Sequence, residues 1–148
     1  ICFSMLRTFE LRYQGIEVGE FRSDEFLPSF GNVLVTGDRI LKDNKDLAVR
    51  FTRALSKIMT YLSDTENMLK ATYTTIEKYT PTYAGREEYM AAILSDIYAG
   101  YLWQSEDTEV FGFGYGNVQR WQDSIDIMKE YQIITSDVKA SDFVVTGL

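Results

Sequence analysis

Arg7 and Glu10 stand three residues apart near the start of an apolar-periodic segment at residues 5–14. An arginine in that place offers a planar two-pronged donor for a carboxylate, a sulfonate or a phosphate. The same spacing is one helical turn, and there it makes a solvated ion pair worth roughly a few tenths of a kcal/mol. Both readings stand at this level. The run Phe111-Gly112-Phe113-Gly114-Tyr115-Gly116 has the glycine content of a phosphate loop. It lacks the lysine and the Ser/Thr of such a loop, and it has no strand-plus-acid context for a dinucleotide site. It reads as a tight loop whose aromatics cover the adjoining helices. Tyr61, Tyr73, Tyr79, Tyr83, Tyr89, Tyr98, Tyr101, Trp103 and Trp121 include candidates for stacking on a flat heteroaromatic ring. Most of them sit at helical core spacing, and Trp103 and Trp121 read as packing anchors.

Several chemistries are disfavoured outright. The chain has no histidine, which removes the commonest general base and the commonest transition-metal ligand. No catalytic residue, metal ligand or cofactor is expected. Asp43, Asp46, Asp64 and Glu66 sit at helix starts, where carboxylates cap free N–H groups and face the positive end of the dipole. A net charge of −7 without a Lys/Arg cluster argues against a nucleic-acid partner. No apolar run is long enough to span a bilayer. Cys2, the single cysteine, excludes an internal disulfide and reads as a small buried residue at the core edge.

The elements that position these residues follow from periodicity and punctuation. Residues 1–4 read as a short strand, and 5–14 as a helix ended by Gly15. Residues 18–21 and 32–36 read as further strands, separated by a loop at 23–29 that contains Pro28. A short helix is expected at 38–44, then a long amphipathic one at 45–62. Its buried face would carry Leu47, Phe51, Ala54, Leu55, Ile58, Met59 and Leu62. Ser63 with Glu66 fits a capping box for a helix at 65–79. Another helix is expected at 86–98, with Tyr89, Ile93 and Ile97 on one face and Gly100 as its stop. Residues 104–116 read as a loop, 118–131 as the last substantial helix, and 141–145 as a final turn.

The order of residue types carries more than the elements do. GNVLVTG at 31–37 and NKDLAVRFTRAL at 44–55 resemble a strand reading "GNVLVTT" and its following helix "NPDLVRAFVRAL". These belong to bacterial solute-binding proteins that feed ABC importers, in the branch serving nitrate, sulfonates, taurine and the pyrimidine precursor of thiamine. Lys45 stands where that family usually has proline. Ser63-Asp64-Thr65-Glu66 occupies the place of an "NPEEA"-like helix start. Trp103, the glycine-rich residues 110–116 and Val118-Gln119-Arg120-Trp121-Gln122 look like the family's "W…G…MDPERWQ" closing region. At 125–135 the chain reads IDIMKEYQIIT, with Tyr131 and Gln132 where a glycine is common.

The resemblance implies an α/β, type II periplasmic-binding-protein-like fold, here a helix-rich C-terminal fragment with a few short strands. Residues 1–30 would end the second lobe, 31–37 would be the interlobe crossover strand, and 38–148 would complete the first lobe with helices. The parent protein would be longer and would begin with a signal or lipoprotein anchor. It would be periplasmic, or extracellular and membrane-anchored. It would bind a small solute without catalysing a reaction and deliver it to the membrane permease of the importer. A thiamine-pyrimidine-like heteroaromatic ranks first as cargo, then a sulfonate or taurine-like anion, then nitrate. Arg7 and Glu10, after the first strand, and Asn32, in the crossover strand, are the ligand-binding residues this implies. A fragment of this kind is expected to self-associate through uncovered apolar helix faces. Two rivals stand beside it. One is a thiamine-pyrimidine-precursor synthase-like enzyme of the same fold, whose histidine and cysteine cluster would have to lie elsewhere. The other is a helical protein-interaction domain.

Overall fold

The computed structural model describes residues 4–27 and 30–147. The buried role expected of Cys2 and the strand expected at residues 1–3 fall outside them, as do Pro28 and Ser29 of the expected loop. At Ser4 a helix has already begun.

The α/β expectation is corrected. Helix accounts for about 65% of the structure, and no strand or sheet forms among the described residues. The segments expected as strands, 18–21 and 32–36, run without regular structure and enter no ladder. Val33, Leu34 and Val35 are exposed, Val35 at 81%. Their β-branched and apolar character is suited to a pleated surface, but a strand exists only through a partner that takes its N–H and C=O groups. The type II binding-protein sheet is therefore absent from the described chain.

Among the described residues seven α-helices form: α1 (Ser4–Tyr13), α2 (Asp38–Asp43), α3 (Lys45–Leu62), α4 (Thr65–Tyr79), α5 (Glu87–Ala92), α6 (Glu106–Phe111) and α7 (Val118–Glu130). From Ile93 to Leu102 the chain continues α5 as a π-helix, past the glycine expected to stop it. The widened turn is visible where Trp103 N–H reaches back five residues to the Tyr98 carbonyl at 2.9 Å. The start of α4 is capped by Asp64, whose carboxylate accepts the Asn67 N–H at 2.9 Å. Ser63 instead turns its hydroxyl back to the Met59 carbonyl at the end of α3. Ser105 caps α6 inside the stretch expected as loop, accepting the Thr108 N–H.

The chain divides into two compact units, and α3 carries the boundary between Arg53 and Ala54. The first unit comprises residues 1–20 and 54–113. In it α4 packs on α5 and its π-helical continuation, which in turn meets α1. Met68, Thr72 and Ile76 of α4 are buried, as are Ala91, Ile93, Ile97 and Ala99, with Thr8 from α1. The second unit comprises residues 21–53 and 114–148. There α7 packs on the turn Ala140–Asp142, burying Ser124, Ile125 and Ala140. Trp121 stacks on Phe30 at 4.8 Å and meets Phe143 edge-on at 5.5 Å, the anchoring role its spacing suggested.

The cores are thin for the surface they leave. The accessible area is 11280 Å². A compact monomer of this mass exposes about 7,700 Å², and two separate compact domains of about eighty and seventy residues expose about 9,300 Å² together. Roughly 2,000 Å² is therefore uncovered even if the units shared no surface at all. Part of it lies on α3, which has no buried residue. Ala48, Val49, Thr52, Ser56, Met59 and Leu62 are half-buried, whereas Leu47, Phe51, Leu55, Ile58 and Tyr61 are exposed. Of the expected buried face of α3, only Met59 and Leu62 are half-buried, and Leu47, Phe51, Ala54, Leu55 and Ile58 are exposed.

Candidate ligand-binding cleft

Within the first unit, the C-terminal half of α1, the middle of α4 and the entry to α5 enclose an open cleft of about 580 Å³. Such a volume suits a small-molecule ligand. Helix α1 supplies Glu10 and Tyr13, the turn after it Gln14, α4 supplies Tyr73, and the turn into α5 with the first residues of that helix supplies residues 85–89. The periodicity of α1 explains its share. Phe9 and Tyr13 are one turn apart and stack at 6.1 Å, and both rings meet Tyr89 of α5. The Tyr13–Tyr89 contact is edge-on, with centroids 5.0 Å apart at 67°. Gly85 takes a φ of +80°, open to glycine at little cost, and so turns the chain into α5. Its N–H donates to Glu87 Oε1 at 2.9 Å.

The electrostatics of the lining lean negative. Glu10, Glu87 and Glu88 face the cleft with one cation, Arg86. That guanidinium lies 5.0 Å over the Tyr89 ring, a cation–π geometry. Glu10 also accepts an ion pair from Arg7. The Arg7 side chain is 68% exposed, which leaves it in high dielectric with little net energy in the pair.

Of the residues nominated from the sequence, Glu10 lines the cleft, and Arg7 is joined to it through the ion pair. Asn32 is exposed in the connector before α2, in the second unit. Two of the tyrosines considered for stacking, Tyr73 and Tyr89, line the cleft. Tyr13, Gln14, Arg86, Glu87 and Glu88 were not singled out. The spacing Phe9–Tyr13, one turn along the helix that carries Glu10, was the available signal for the first of them. The glycine-rich run at 111–116 ends α6 and turns at Gly112 and Gly114, both at positive φ. Phe113 meets Trp103 edge-on at 6.3 Å, which is the covering role read from its composition.

Among the described residues no group of His, Cys, Asp or Glu is arranged to hold a metal ion. Among them, too, no helix is long and apolar enough to cross a membrane. No protein-family model, curated protein or solved structure matches the chain.

Proposed function

We propose that the chain is a solute-binding component of an ABC importer, acting outside the cytoplasm and catalysing no reaction. Its cargo is a small flat heteroaromatic, gripped by the tyrosines of the first unit and handed to a membrane permease. Sulfonates and nitrate rank lower, because Glu87 and Glu88 outnumber the one lining guanidinium, Arg86, once Glu10 is paired with Arg7. The observation that carries the reading is the end of α7. Gln132 has a φ of +56°. Tyr131 and Gln132 depart from the resembled importer proteins, in which a glycine is common there, and glycine is the residue that takes a left-handed backbone freely. The N–H of Ile133 returns to the Met128 carbonyl at 2.8 Å and that of Gln132 to Lys129 at 3.0 Å, a Schellman closure. A left-handed stop at that place supports the order of the helical motifs from residue 44 onward, whereas the crossover strand at 31–37 does not form. Helices at Lys45–Leu62 and Thr65–Tyr79 support it as well.

The test is a thermal-shift panel of pyrimidines, thiamine precursors, sulfonates, taurine and nitrate. A ligand at a hundred times its dissociation constant stabilises the fold by about 2.7 kcal/mol, which raises Tm by several degrees. A shift with the heteroaromatics alone supports the reading. A folded protein that responds to none of them sinks it.

One observation favours a second reading, a helical interaction module. The exposed arc of α3 is bordered by Arg50, Arg53 and Lys57. The roughly 2,000 Å² of excess surface exceeds the about 800 Å² per partner of a standard protein interface. In this reading a second copy covers the arc. Light scattering across a concentration series reads it directly, and a monomer at every concentration removes it.

A further inference from the structure

We propose that the cleft of the first unit selects a small organic cation, so that the solute carries positive charge. This rests on the reading above in taking the cleft as a ligand site, and it adds the sign of the ligand.

Three features of the lining converge on it. Tyr13, Tyr73 and Tyr89 come from three different helices to one opening, and a tyrosine ring presents a negative face to a cation. Glu10, Glu87 and Glu88 surround them, and no hydrogen bond or ion pair engages Glu88 among the described residues. The guanidinium of Arg86 already rests 5.0 Å above Tyr89, so this ring accepts a delocalised cation in the protein's own structure. A ligand cation can take the remaining faces of Tyr13 and Tyr73, with Glu88 supplying the counter-charge. An anion would meet the opposite field. The net charge of −7 adds to that preference by raising the local concentration of cations.

An alkylammonium group is the simplest ligand of this class. Choline and its uncharged carbon isostere 3,3-dimethylbutan-1-ol share shape and hydroxyl and differ in charge alone. Titration of each, followed on the tyrosine ring resonances, separates charge from hydrophobic fit. Contacts of this exposure support a dissociation constant for choline of about 1 mM. The isostere is expected to bind about tenfold more weakly, and methanesulfonate not at all. Tyr13 and Glu88 are exposed, so substitutions there leave the fold in place, as far-UV circular dichroism will report. Tyr13→Leu is expected to weaken choline about fivefold, Glu88→Gln about threefold, and Tyr13→Phe, which keeps the ring, less than twofold. Equal binding of choline and the isostere overturns the proposal. So does an absence of ring shifts at 10 mM choline in the folded protein. Neither result bears on neutral pyrimidines, whose thermal shifts report the importer reading separately.

Discussion

The side-chain carbonyl of Gln122 accepts the backbone N–H of Ala140 at 3.0 Å, joining positions eighteen residues apart. Ala140 is fully buried, at 0% exposure, so no water can replace the acceptor. Gln122 also donates to Asp126 at 2.8 Å, which fixes which end of the amide faces Ala140. In a unit with few buried side chains, this bond ties the last turn of the chain to α7. Gln122→Ala is expected to cost about 1–3 kcal/mol, the cost of a buried donor left alone. Gln122→Glu keeps an acceptor but sets a carboxylate against Asp126, so it is made together with Asp126→Asn, and that pair should cost less. Urea midpoints of the two variants decide it, and equal losses would show that the bond is not the cause.

Gln132→Gly is expected to raise stability by about 1 kcal/mol. The native φ of +56° is strained for glutamine and free for glycine. The gain should appear in the thermal midpoint without a change in helix content. A loss would mean that the glutamine side chain makes a contact outweighing its backbone strain.

Asp64→Ala is expected to destabilise the protein by about 1 kcal/mol, because it removes the acceptor that caps α4. Asp64→Ser retains a capping oxygen and should recover most of the loss. Ser63→Ala, at the position the capping-box pattern favours, should cost less than Asp64→Ala.

Thr52 Oγ1 is buried without a hydrogen-bond partner. Thr52→Val keeps the shape and removes the hydroxyl, so it should be neutral or stabilising by up to about 1 kcal/mol. A clear loss in chemical denaturation would point to a partner for the hydroxyl in solution.

Phe51→Ser combined with Ile58→Ser removes the two large residues in the middle of the exposed α3 arc, at 56% and 52% exposure. The monomer should lose no more than about 1 kcal/mol, since these side chains are half solvated already. Any concentration-dependent association should weaken strongly. Unchanged association would place the contact elsewhere.

Local punctuation made α3 and α4 legible, because the apolar period of α3 and the polar residues between the two helices act within a few residues. Gly15 was legible as the stop of α1 for the same reason, and it adopts a φ of +79°. The strands failed because strand formation depends on a partner that no local pattern guarantees. Gly100 failed as a stop because a glycine inside a π-helix is a matter of close approach. A Cβ there would lie 3.1 Å from the Ser95 carbonyl oxygen. At the cleft, Glu10 was named through the resemblance and Tyr73 and Tyr89 among the stacking candidates, but their convergence with Tyr13 was not legible, because the three rings meet only once α1, α4 and α5 have packed. The face of α3 was read correctly as apolar and wrongly as buried, since periodicity gives the stripe and says nothing of what covers it.

The large uncovered surface also sets how this protein should respond to heat. An unfolded chain of this mass exposes about 25,000 Å², so folding here removes roughly an eighth less area than folding of two separate compact units would. Heat capacity of unfolding scales with that area, and for 148 residues of ordinary compactness it is about 2 kcal/mol/K. A value of roughly 1.75 kcal/mol/K follows, together with a shallower denaturant slope. A smaller heat capacity of unfolding gives the stability curve less curvature, so stability here should change slightly less with temperature than in a compact protein of the same length.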